Sequence, residues 1–149
     1  MSGETEREIF RAFTLAQDRY GYFLMAAAGA AIAFAVARTD SAAWTSTMWL
    51  WLSAVVCWGA SFYSGLKYVR WIGAGLRTNL GLLKVQDGSD ALVGTHPMNI
   101  AVATEVIREA SDKGSRWMSG WATAQLTFLA AGAVAYIVWH VWEMVGRST

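Results

Sequence analysis

The sequence predicts an all-α, polytopic membrane protein with three long transmembrane helices extending into a cytoplasmic helical bundle. Three observations carry the prediction. Hydrophobic residues make up 55% of the 149-residue chain and charged residues only 15%, a balance too apolar for an ordinary soluble fold. Residues 20–37, 41–66 and 117–142 hold no Asp, Glu, Lys or Arg, giving charge-free runs of 18, 26 and 26 residues. About 20 apolar residues in a helix cross a hydrocarbon core about 30 Å thick. A soluble bundle built on three all-round apolar helices would need polar helices to cover them, and a chain this short has too few left. No pattern of period two marks a strand.

Residues 4–38 read as an amphipathic helix running into the first crossing. Thr5 and Glu8 stand in capping-box spacing, and Ile9, Phe13, Ala16 and Tyr20 fall on one stripe. Ala35-Val36-Ala37 has the form of a signal-peptide cleavage site, but the preceding segment carries Glu4, Glu6, Glu8 and Asp18 beside its arginines, unlike a short basic leader. A retained helix is expected. Residues 44–86 read as the second crossing with a cytoplasmic extension striped by Val69, Ile72, Leu76, Leu80 and Leu83. Gly88, Ser89, Asp90 and Gly94 mark a loop at 87–96. Pro97 suits the first turn of a helix over 97–146, with Ile100, Ala103, Ile107 and Ala110 on one stripe before the third crossing. The four segments form a single membrane domain, 1–149.

Basic residues orient the frame. Arg7, Arg11, Arg19, Lys67, Arg70, Arg77, Lys84, Arg108, Lys113 and Arg116 share one side, and only Arg38 and Arg147 lie on the other. Cytoplasmic segments carry the excess of Lys and Arg. The expected location is therefore a plasma membrane, with the N-terminus cytoplasmic and the C-terminus outside. Trp44, Trp49, Trp139 and Trp142 are expected in an outer aromatic belt, and Tyr20, Tyr22, Tyr68, Trp71, Trp117 and Trp121 in an inner one; Trp58 falls near mid-membrane.

The sequence gives little basis for catalysis. His96 and His140 are predicted on opposite sides of the membrane, Cys57 is the single cysteine, and no Walker, nucleophile-elbow or HExxH pattern occurs. No catalytic residue, metal ligand or cofactor is expected. His140 and Glu143, three apart, read either as a titrating or cation-binding pair or as polar side chains at the outer interface. Gly29, Ala33 and Ala37, and Ala131 and Ala135, recur at spacing four and allow close helix approach, within the chain or between copies.

On the second crossing, Ser53, Cys57, Ala60, Ser64 and Lys67 recur at four, three, four, three, the seam spacing of supercoiled helices. These five are pore-lining candidates, or alternatively a tight packing face. Arg70, Arg77 and Lys84 form a basic ridge beyond it, spaced by seven. Three readings stay open for the ridge: topological charge near lipid phosphates, pairing with Glu105, Glu109 and Asp112, or binding of an anionic ligand such as a nucleotide or nucleic acid. Arg77 and Lys84 stand about 15 and 25 Å beyond Lys67 along a helix. Gly114 and Gly120 are hinge candidates, since Gly costs about 1 kcal/mol relative to Ala in a helix.

An N-terminal amphipathic helix "EREIFRAFTLAQDRYGYF" running into a crossing, a very short outer link "RTDSAA", and a basic helix after the second crossing together resemble the SLATT group of small bacterial membrane effectors. A third crossing stands outside that pattern. The resemblance implies a homo-oligomeric channel or pore in an anti-phage, nucleotide-signal system. The expected function is thus a channel gated through its cytoplasmic helices, its partners being the lipid bilayer, further copies of the chain and an anionic ligand. The alternative is a non-conducting accessory subunit docked on a partner protein in a larger membrane complex.

Overall fold

A computed structural model describes residues 3–39 and 46–148. Among these the regular structure is all helix: α1 (Gly3–Ala37), α2 (Met48–Gln86) and α3 (Pro97–Ser148). Thr5, Ile9, Phe13 and Trp44, expected to cap, stripe and belt the chain, lie outside the residues whose side chains are described, as do Arg7, Arg11 and Arg147. Of the N-terminal stripe, Ala16 and Tyr20 are exposed.

Local chemistry sets the helix ends. At the end of α1, Thr39 donates its N–H (3.0 Å) and its hydroxyl (2.8 Å) to the Val36 carbonyl. At the end of α2, Gly88 adopts φ +67°, a left-handed conformation that a Cβ would strain. The Gly88 N–H bonds the Val85 carbonyl (3.1 Å) and the Ser89 N–H bonds the Lys84 carbonyl (3.0 Å), the paired bonds of a Schellman cap. Asp90 Oδ1 then accepts from the N–H groups of Leu92 (2.9 Å) and Val93 (3.4 Å), so a short side chain turns the loop. His96 opens α3: its Nδ1 accepts from the Met98 N–H (3.3 Å) and its carbonyl from the Ile100 N–H (3.1 Å). Pro97, which has no N–H to leave unsatisfied, takes the first position.

The chain divides into two compact units, Met1–Leu66 with Ala122–Thr149, and Lys67–Trp121. In the first, Ala35, Ala54 and Trp58 form a buried cluster on which Ala31, Ile32, Val55, Leu129 and Ala135 pack. Small side chains set its spacing. A Cβ on Gly132 would lie 2.6 Å from two indole atoms of Trp58 and 3.1 Å from the Ala54 carbonyl oxygen, and one on Gly65 would lie 2.5 Å from Met25 Cγ. Gly29, Ala33 and Ala37 are not used in this way. Gly29 meets nothing within 4 Å, and Ala33 and Ala37 are exposed. Ala131 is exposed and Ala135 half-buried.

In the second unit, a Cβ on Gly114 would lie 3.8 Å from the Trp71 ring, and Val85 is buried. Leu76, Leu80 and Leu83 of the α2 stripe are exposed, whereas Ile100, Ala103 and Ile107 of α3 are half-buried. α3 continues as unbroken helix through Gly114 and Gly120, and a Cβ on Gly120 would meet nothing within 4 Å.

Two helices are long and apolar enough to cross a membrane, over Arg19–Ala37 and within Pro97–Gly146. That differs from the expected three. Residues 48–66 of α2 carry no charge, but Trp49, Trp51, Trp58, Tyr63 and several Ser and Gly hold down the mean hydropathy. Only 28% of the first apolar window and 11% of the second is buried inside the chain. Phe23, Phe34, Val56, Phe62, Val134 and Ile137 are among the large side chains left exposed.

Candidate functional site

The predicted seam on α2 does not share one environment. Ser53 is exposed, Cys57, Ala60 and Lys67 are half-buried, and Ser64 is 2% exposed. Ser53 donates to the Leu50 carbonyl (2.7 Å) and Ser64 to the Ala60 carbonyl (2.8 Å). Both hydroxyls thus satisfy themselves on their own helix, as Ser does where no water is available. The outer end of the seam faces away from the other helices and its inner end turns toward them.

A polar junction not expected from the sequence lies beside it. Ser61, fully buried, donates to the backbone carbonyl of Gln125 on α3 (2.8 Å). Gln125 is 1% exposed, and its Nε2 donates to the Gly21 carbonyl on α1 (3.4 Å). One residue therefore ties three helices together, its backbone carbonyl accepting from α2 and its carboxamide donating to α1, in a buried setting where a lost hydrogen bond has no water to replace it. A readable signal existed: Gln125 is the single Asn or Gln in the three charge-free runs.

Arg70, Arg77 and Lys84 are all exposed. Among the described residues no ion pair joins them to Glu105, Glu109 or Asp112, which are exposed as well. Pairing within one chain is not the arrangement in this structure. The ridge remains a row of solvated cations, able to meet an anion that comes to it.

A third arrangement lies where α1 ends and α2 begins. Trp51 Nε1 donates to the Ala35 carbonyl (3.3 Å) and the Thr47 hydroxyl to Glu143 Oε2 (3.3 Å). Trp139, expected in the outer belt, is instead 8% exposed, its ring 5.4 Å from that of Tyr136. His140 lies nearly parallel to Tyr136, at 6.4 Å and 4°, and the Arg38 guanidinium stands 5.5 Å from the centre of the Phe34 ring. Phe34, Arg38, Tyr136, Trp139, His140 and Glu143 border a cavity of about 380 Å³. Trp49 and Trp142 are both exposed. The belt fails at Trp139 because helical spacing turns it toward Tyr136 while its neighbours face outward.

No family model, curated protein or solved structure matches the chain.

These arrangements differ in chemical capacity. The junction at Gln125 is sealed by its own bonds and serves packing. The ridge and the cavity combine charge with access. The exposed outer end of the α2 face presents small, weakly polar groups to whatever surrounds the chain.

Proposed function

We propose that this chain spans a bacterial inner membrane three times, with its N-terminus cytoplasmic, and assembles into a homo-oligomeric channel. The observation that carries the reading is the apolar surface left uncovered by the chain itself, only 28% of the residues in one membrane-length window and 11% of those in the other being buried. Lipid and further copies of the chain are the surroundings that suit such a surface. α2 is the third crossing in this reading. It is charge-free from Met48 to Leu66 and hydrogen-bonded to both other helices through Trp51, Trp58 and Ser61.

A conducting path belongs between copies. Within one copy the facing surfaces are closed by Ala54, Trp58, Ser61 and Gln125, each 4% exposed or less. Ser53 and Cys57 stand at the outer part of α2 with room for a neighbouring copy, which suits a narrow, weakly polar lumen. Arg70, Arg77 and Lys84, multiplied by symmetry, supply a basic cytoplasmic mouth for an anionic trigger of nucleotide type, in keeping with the SLATT resemblance. Gly114 and Gly120 serve as hinges in this reading.

The test uses the purified full chain. Its mass in mild detergent should be a fixed multiple of the 16.3 kDa protomer, and liposomes carrying it should pass ions. Cys57 is the single cysteine, so a cationic thiol reagent should block the current and Cys57→Ser should abolish that block. A monomer that passes no ions would sink the proposal. Unblocked current would remove α2 from the path.

A further inference from the structure

The cavity at the ends of α1 and α3 combines features that point to one class of ligand. Arg38 presents a guanidinium beside it, held near the Phe34 ring, and Glu143 presents a carboxylate on the same wall system. Tyr136 and His140 supply nearly parallel ring faces. Trp139 carries a buried indole N–H that finds no acceptor among the described residues. A cation and an anion bordering one small cavity suit a zwitterion. Guanidinium groups bind phosphate through a fork of donors, and aromatic faces beside a carboxylate bind ammonium groups. At about 380 Å³ the cavity lies near the lower end of ligand-site volumes and has room for a headgroup.

Position decides the source. The first apolar window ends at Ala37, one residue before Arg38, and exposed Trp49 and Trp142 occupy the adjoining turns, as aromatic residues do at an interface. We propose that this cavity binds the headgroup of a zwitterionic phospholipid, its phosphate on Arg38 and its ammonium group against Glu143 and the Tyr136–His140 rings. The assignment rests on the membrane placement proposed above and is independent of conduction.

Native mass spectrometry of the full chain, titrated with phosphatidylethanolamine and phosphatidylglycerol of identical acyl chains, tests it. Phosphatidylethanolamine should be retained at least tenfold more strongly. Arg38→Gln and Glu143→Gln should each reduce that retention tenfold or more, with helicity by circular dichroism unchanged. Arg38 is exposed, and Gln at 143 keeps an acceptor for the Thr47 hydroxyl. Equal retention of the two lipids, or retention indifferent to both substitutions, would overturn the site. Free phosphoethanolamine binding as tightly as the lipid would overturn the lipid as its source. Alkaline carbonate extraction separates the two proposals: a chain released from membranes sinks the membrane placement, whereas a chain that resists and shows no lipid preference sinks only the headgroup site.

Discussion

Gly132→Ala is the smallest change that tests how the first unit is packed. The added Cβ would lie 2.6 Å from Trp58 Cδ1, 2.6 Å from Trp58 Nε1 and 3.1 Å from the Ala54 carbonyl oxygen. None of these is the free end of a flexible chain. The indole is 4% exposed and donates to the Leu129 carbonyl at 3.3 Å, so it cannot move without giving up that bond. Overpacking of a filled site costs about 1–3 kcal/mol, and the displaced hydrogen bond adds about 0.5–1.5 kcal/mol. Against this stands the better helix propensity of Ala, up to about 1 kcal/mol. A net loss of about 1–3 kcal/mol is expected. Gly29→Ala is the control, because nothing lies within 4 Å of its Cβ position; it should be neutral or stabilising. Reversible unfolding in mixed micelles, followed by circular dichroism across a denaturing-detergent titration, gives both values. In a Trp58→Leu background the Gly132→Ala penalty should fall by more than half, since the two sites are in contact. The packing account is refuted if Gly132→Ala is as stable as Gly29→Ala.

Two further outcomes are expected from the same unfolding assay. Gln125→Met, which keeps the length of the side chain but removes its donor to Gly21, should cost about 0.6–1.7 kcal/mol, the range for interhelical hydrogen bonds in membranes; no loss would mean that the 3.4 Å contact contributes nothing. His96→Ala should cost about 0.5–1 kcal/mol and speed amide exchange over residues 98–100, because the Met98 N–H loses its acceptor, while His96→Asn should retain most of the protection.

The helical class is legible in the sequence because charge-free runs and stripes of period 3.6 are strong signals. The chain stops are legible for the same local reason: Gly88 and Pro97 act through their own backbone geometry. Which face of each apolar helix turns inward is much less legible. An amphipathic helix declares its buried side by contrast with its polar side, and a segment surrounded by apolar residues gives no such contrast. Hence Gly29, Ala33 and Ala37, evenly spaced, stay outside the packing, while Gly65 and Gly132, which belong to no stripe, set the closest approaches. The α2 seam divides between exposed Ser53 and buried Ser64 for the same reason. The cavity beside Arg38 depends on residues about 100 positions apart in the chain, a juxtaposition that no local spacing encodes.

The hydrogen bonds of the first unit also impose an order on its biogenesis. Trp51 reaches the Ala35 carbonyl across 16 residues of sequence, so α1 and the start of α2 can close on each other as soon as both leave the ribosome. Trp58 and Ser61 must wait, for their acceptors lie on α3, 71 and 64 residues further on. Until α3 packs against them, the pair α1 and α2 carries an indole donor whose acceptor has yet to be made, so a chain interrupted before Leu129 differs from a finished one by an unpartnered donor at its centre.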